Sequence, residues 1–225
     1  MDYLTKPILN KLDIEQIHRA PIFEYSGAIE CISTPEKLLK ITKNLKHQKI
    51  IGIDTESRPS FSKGLIYPVS LIQIATEDIV YVIQINMTGF SDELVKLFEN
   101  KKIIKAGLAI NDDIKKLREL RDFEPKSFVD LSKMAREKGI IQTGLKSLSV
   151  RYLNCKISKT ARTTNWSVSK LTQKQLVYAA TDAWMCLKLY PIILSDTNDY
   201  HEKLQENQEN QKDQQGDQRS ISSPS

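Results

Sequence analysis

The sequence predicts an α/β protein in which one mixed sheet is covered by helices on both faces. Three observations carry that prediction. Short β-branched runs alternate along the chain with amphipathic segments of helical period. Several of those segments open on a Ser or Thr in the capping position. The last of them, the longest, starts with a capping box, Thr172 followed by Gln175.

Taken in order, Phe23 to Ile32 reads as a strand with a turn near Gly27, and Thr34 caps a helix over Pro35–Leu45 with proline at its first position. Lys49 to Asp54 is apolar at successive positions, which suits a central strand buried on both faces. Ser70–Ala75 and Ile79–Ile85 are two strands joined by a turn at Thr76–Asp78. Ser91 caps a helix ending at Asn100 that turns Leu94, Val95, Leu97 and Phe98 inward. A strand over Ile103–Ile110 then leads into a helix over Asp112–Leu120. The short strand Phe128–Asp130 leads into a helix over Leu131–Lys138. Gly144–Leu153 is helical, Asn154–Trp166 is a basic loop, and the long helix runs from Gln173 to about Leu194. No internal repeat and no second domain is visible. The expected organisation is an N-terminal extension over 1–22, one domain over 23–194, and a polar tail over 195–225 whose Gln-, Asn- and Ser-rich composition predicts disorder.

Charge is distributed unevenly over the 225 residues. Residues 196–225 hold 7 acidic and 3 basic side chains, leaving 30 basic and 21 acidic ahead of them, a net of +9. A basic body suits a polyanionic partner such as nucleic acid. No apolar stretch approaches the roughly 18 residues needed to cross a bilayer, and the first residues lack a secretory pattern, so a cytoplasmic location is expected. Cys31, Cys155 and Cys186 form no CxxC pair, and the three histidines are scattered. Any catalytic metal must therefore be held mainly by oxygen.

The acids supply candidates. Asp54 and Glu56 close the apolar run, and residues i and i+2 of a strand face the same way. Paired carboxylates repel unless cations neutralise them, and hard oxygens in that arrangement suit magnesium or manganese. An isolated Asp-x-Glu is more often a solvated strand exit. Asp113 lies at the start of a helix, where an acid also serves as a cap or complements the helix dipole. Asn111 or Asp112 can fill the cap and leave Asp113 free in the first turn. Tyr178 and Asp182, four apart, share one face of the last helix among apolar neighbours, where a carboxylate is costly unless paired or metal-bound.

Together these residues resemble the ribonuclease D and Werner-type branch of the DEDD 3′-5′ exonucleases. IGIDTE matches the first motif, with Asp54 and Glu56. KAGLAINDDIKKL matches the second, where Gly107, six residues before Asp113 and ten before Leu117, sets a register that selects Asp113 over Asp112. LTQKQLVYAATDAWMCLKLY matches the third, with Tyr178 and Asp182, preceded by GLKSLSVRYLN and TNWS. The likeness runs from about Ile29 to Tyr190, and tyrosine at 178 is that of the tyrosine subclass.

The resemblance implies a ribonuclease H-like fold with a five-stranded mixed sheet whose middle strand carries Asp54 and Glu56. It implies two divalent cations, Mg2+ or Mn2+, bridged by Asp54, with Glu56, Asp182 and Asp113 as further ligands and Tyr178 orienting the attacking water. The expected reaction releases nucleoside 5′-monophosphates from a single-stranded 3′ end of DNA or RNA. The short polar tail stands where ribonuclease D has further helical domains, so a stand-alone nuclease domain is expected. For the strand itself, Lys156, Lys159 and Arg162 are expected at the backbone and Trp166 against a base. Arg58, Lys63 and Tyr67 are candidates for the site entrance.

Overall fold

The apolar run that ends in Asp54 forms the middle of the molecule, with Ile51 and Ile53 fully buried. In the computed structural model, which describes residues 12–60 and 64–196, the first elements are α1 (Ile14–Arg19), β1 (Ile22–Phe23), β2 (Ala28–Ile32), α2 (Pro35–Leu45), β3 (Ile50–Ser57), β4 (Val69–Ala75) and β5 (Ile79–Gln84). They are followed by α3 (Ile85–Thr88), α4 (Asp92–Glu99), β6 (Ile104–Gly107), α5 (Ile110–Leu120), β7 (Phe128–Asp130), α6 (Leu131–Glu137), α7 (Leu145–Leu153), β8 (Lys156–Ile157) and α8 (Gln173–Ser195).

Six strands form the main sheet in the order β2-β5-β4-β3-β6-β7. The β3-β4 and β4-β5 pairs are antiparallel; β2-β5, β3-β6 and β6-β7 are parallel. The five strands implied by the resemblance are thus joined by a sixth. That strand, β7, is the short Phe128–Asp130 run, which hydrogen-bonds at the edge beside β6.

Alternation along the strands divides the core. Ile72, Ile74, Tyr81 and Ile83 face Leu38, Ile41, Leu45, Leu94, Leu97 and Phe98 of α2 and α4. On the other face, Ala75 and Val80 pack under Ala180, Ala183 and Leu187, while Leu71 and Val82 pack under Ala179. Helices therefore cover both faces. Each fully buried Ile or Leu in these layers contributes about 1.5–3 kcal/mol. The second face belongs mainly to α8, which starts at the predicted capping box: Thr172 Oγ1 accepts from the Gln175 amide at 3.2 Å, and the Gln175 side chain accepts from the Thr172 amide at 3.0 Å. Among the described residues no helix is long and apolar enough to cross a membrane.

The run read as one strand over Phe23–Ile32 is broken in two. Ile22 and Phe23 pair with Lys156 and Ile157 in a separate two-stranded sheet, and only Ala28–Ile32 joins the main one. Between them the Tyr25 amide donates to Thr181 Oγ1 of α8 at 2.9 Å. The Tyr25 ring then lies so close to Gly27 that a Cβ there would stand 2.4 Å from its hydroxyl. Ahead of β1, α1 docks on α7 through Leu12, Ala20 and Val150. The rest of the N-terminal extension (1–11) and the tail after Asp196 lie outside the described residues.

Candidate active site

Two elements carry the acids, and a glycine lets them meet. Gly52, Asp54 and Glu56 alternate with Ile51, Ile53 and Thr55 along β3, so all three share the face toward α8. A Cβ at Gly52 would stand 2.1 Å from the Ala183 carbonyl oxygen and 2.7 Å from the Leu187 nitrogen. Backbone therefore rests on backbone where α8 crosses β3. Asp182, next in the chain to Ala183, is thereby delivered to Asp54, two residues beyond Gly52.

Carboxylate oxygens of Asp54, Glu56 and Asp182 lie within 4.8 Å of one another. Burial, then the charges of Asp182, Glu56 and Asp113, hold the Asp54 carboxyl well above the ordinary range. Burial and the neighbouring Asp182 and Asp113 push Glu56 up to about 8, against a partial offset from Arg162 and Lys116. Burial pushes Asp182 up to about 7 even though Tyr178 and Lys159 act in the opposite direction. Asp182 Oδ1 is buried and has no hydrogen-bond partner. Three converging carboxyls, all held above the ordinary range and one with an oxygen left unpartnered, are an uncompensated cluster of hard oxygen donors. Such a set fits a divalent cation, which would supply the missing charge and the missing partner.

Asp113 arrives from the opposite side of β3. The chain leaves β6 at Gly107, where a Cβ would stand 3.0 Å from the Ile53 carbonyl oxygen, and α5 begins after Ala109 in a left-handed conformation. The Ala109 amide donates to Asp130 Oδ1 at 3.1 Å, and that same carboxylate caps α6. The cap of α5 is thus neither Asn111 nor Asp112. Thr55 Oγ1 donates to Asp113 Oδ1 at 2.8 Å, and burial raises the Asp113 carboxyl. Asp112 points outward and pairs with Lys115. Asp113 is close enough to raise both β3 acids but stands apart from the three-carboxylate cluster, because Thr55 holds it on the α5 side.

Tyr178 lies one turn before Asp182, within hydrogen-bonding reach of it. Burial and the three carboxylates hold its phenol far above the usual tyrosine range. Its ring rests on Trp166, centroids 5.8 Å apart. Trp166 corrects the expectation of base stacking. Its side chain is fully buried among Leu71, Ala161 and Leu171, and its Nε1 donates to the Arg162 carbonyl at 3.5 Å, so no ring face is left for a base.

Lys159 and Arg162 are exposed, and their charge reaches Asp182 and Glu56 respectively. Lys156 is committed elsewhere: its ammonium donates to the His18 carbonyl. Arg58 stacks on the Tyr67 ring at 4.8 Å, and Lys63 lies outside the described residues. The sequence reading missed Lys116, visible only as the residue one helical turn after Asp113, and Thr55, which it treated as a spacer. It also missed a second use of Gln175, whose Nε2 donates to Thr164 Oγ1 at 3.1 Å and to the Asn165 carbonyl at 3.0 Å. The capping-box glutamine of α8 thereby ties the basic loop to the helix that carries Tyr178.

Known proteins share this arrangement of elements. A family model described as a 3′-5′ exonuclease matches residues 29–198. The mouse bifunctional 3′-5′ exonuclease/ATP-dependent helicase WRN is 36% identical over 185 residues, covering 76% of this chain and 13% of that protein. An Arabidopsis thaliana 3′-5′ exonuclease is 32% identical over 163 residues, covering 70% of this chain and 57% of its own length. The chain thus spans only part of the relatives it matches. Among solved structures, the Aedes aegypti Nibbler EXO domain superposes with a TM-score of 0.69 at 24% identity, over 76% of this chain and 90% of that one, a likeness of fold. With most of its length matched by that model, and the acids of two crossing elements gathered at one point, the chain belongs to the 3′-5′ exonuclease family.

Proposed function

We propose that this chain hydrolyses nucleic acid from a single-stranded 3′ end, releasing nucleoside 5′-monophosphates in a metal-dependent reaction. The observation that carries the reading is the meeting of Asp54, Glu56 and Asp182 within 4.8 Å, one helical turn from Tyr178. Asp54, Glu56 and Asp182, with Asp113 completing the set, would hold two divalent cations, Mg2+ or Mn2+, whose Lewis acidity activates water and stabilises the leaving oxygen. Tyr178, kept protonated by its surroundings, orients the attacking water by hydrogen bonding and does not remove its proton. Lys159 and Arg162 stand at the exposed edge of the acids, where they meet the phosphates of the incoming strand. Trp166 supports the Tyr178 ring from behind. The described cysteines are all unpaired, which supports a reducing compartment such as the cytoplasm.

Oligomers of DNA and of RNA, each labelled at the 5′ or the 3′ end, test the reading when incubated with Mg2+, Mn2+ or EDTA. A stepwise ladder that shortens from the 3′ end, lost in EDTA and in Asp54→Ala, is the expected result. The same assay ranks the two polymers and, with annealed duplexes, the strand preference. Binding without cleavage in either metal, alike for wild type and Asp54→Ala, would leave a nucleic-acid-binding module in place of an enzyme.

A further inference from the structure

Gln73 sits in the middle of β4, directly opposite Asp54 of β3. Side chains facing each other across antiparallel strands project to the same side, with Cβ atoms about 4.5–5.5 Å apart. Leu71 and Ala75, two residues to either side of Gln73, pack under Ala179 and Ala183 of α8, so the glutamine lies in that same layer. It is fully buried, and neither Oε1 nor Nε2 has a hydrogen-bond partner. An unpartnered primary amide in such a place is costly, and an apolar side chain of the same length would fill it without that cost. Its nearest neighbours along the strand, Leu71, Ile72, Ile74 and Ala75, are apolar, as packing alone would select. Asp182 Oδ1, on the same face, is the other orphan beside Asp54.

Resting on the reading of the acids as a metal centre, we propose that Gln73 is a positioning residue for that centre. Its Nε2 donates to the Asp54 carboxylate when that carboxylate holds cations, and so fixes the rotamer in which Asp54 faces both Glu56 and Asp182. The spacing suits this, since the amide needs to bridge only the distance between neighbouring strands, about 4.8 Å. The acceptor gains a hydrogen bond that is stronger for its charge. A carboxylate that holds a metal is ordinarily oriented by such a partner outside the metal's own shell. The amide thereby gives up stability in the metal-free protein and returns it as cation affinity.

The test compares the full chain with Gln73→Leu and Gln73→Asn by thermal unfolding in EDTA, Mn2+ titration calorimetry, and steady-state cleavage of an end-labelled oligonucleotide. Gln73→Leu is expected to raise Tm in EDTA by about 2–4 °C, since the orphaned amide is gone. It is expected to weaken Mn2+ binding by about 10–100-fold, with the KM for oligonucleotide unchanged at saturating Mn2+. Gln73→Asn keeps an amide but withdraws it by one methylene, so it is expected to weaken Mn2+ binding without the gain in Tm. Unchanged Mn2+ affinity in either folded variant overturns the proposal, as does a Gln73→Leu protein that loses Tm in EDTA while binding Mn2+ normally. Should Gln73→Leu fail to fold, Gln73→Asn decides alone on the same criterion. A wild-type chain with no saturable Mn2+ binding overturns the metal centre itself, and the role of Gln73 with it.

Discussion

Tyr178 and Asp113 are the residues whose surroundings most sharply limit what they can do. A phenol held far above its ordinary range by burial and three carboxylates is no base at neutral pH. Tyr178→Phe should therefore lower kcat by about 10²-fold through lost positioning of the water, with the KM for oligonucleotide unchanged and no limb lost from the pH–rate profile. A variant with full kcat would remove the hydroxyl from the reaction. Asp113 and Asp112 are adjacent acids of opposite setting, one held by Thr55 and the other solvated beside Lys115. Asp113→Asn should cost at least about tenfold in activity, whereas Asp112→Asn should leave steady-state rates at the wild-type level; the reverse ranking would reassign the site. Sequence alone could separate the pair only through spacing from Gly107, because the deciding contact is a hydrogen bond to a residue 58 positions away. Trp166 shows the converse limit. An aromatic in a basic loop has the composition of a stacking platform, and only the packing of Ala161, Leu171 and Tyr178 around it reveals a core residue.

At the scale of elements, the site depends on how closely α8 approaches β3. Both were legible in the sequence, β3 as an apolar run and α8 as a long helix opened by a capping box. Their crossing point was not legible, because a glycine in a strand does not announce what it admits. Gly52→Ala places a methyl against the Ala183 carbonyl, an atom of the helix backbone that cannot rotate away. The substitution should cost about 3 kcal/mol through overpacking, lowering Tm by roughly 6–12 °C. Mn2+ affinity should fall with it, since α8 carries Asp182 outward as it shifts. A calorimetric titration that kept wild-type affinity at the lowered Tm would show that the crossing can move without opening the acid cluster. The parts that sequence reading missed, α1 and the β1-β8 pair, have different causes. α1 is a short helix inside the residues read as an extension, although Asp13 and Gln16 give it a capping box. Ile22 and Phe23, by contrast, find their partners at Lys156 and Ile157, far along the chain, so no local pattern marks that pair.

For the molecule as a whole, gathering acids from β3 and α8 at one point, with Asp113 of α5 close by, sets folding against ionisation. Glu56 and Asp182 rise to about 8 and about 7 from ordinary values of 4.5 and 3.8, chiefly through burial, and Asp54 rises as well. The folded state therefore binds more protons than the unfolded chain between the ordinary and the raised values. The stability these groups contribute is fully present below the ordinary carboxyl range and is lost as pH climbs through the raised values. In EDTA, Tm should fall steadily from about pH 5 to about pH 8, the reverse of the usual behaviour of paired surface carboxylates. Mg2+ should raise Tm little at the acid end, where protons already neutralise the cluster, and most at the upper end, where it takes over that role. Lys105 works outside this window. Burial depresses its ammonium to about 8 from 10.5, so its protonation opposes folding below that value and its contribution to stability grows only as pH rises further. Glu56→Gln separates the two groups. Removing that titration should flatten the decline in EDTA and blunt the Mg2+ response, while any rise due to Lys105 above pH 8 persists. Differential scanning fluorimetry across this range reads both slopes, and a wild-type Tm that rose with pH in EDTA would show that the acids do not carry protons in the folded protein.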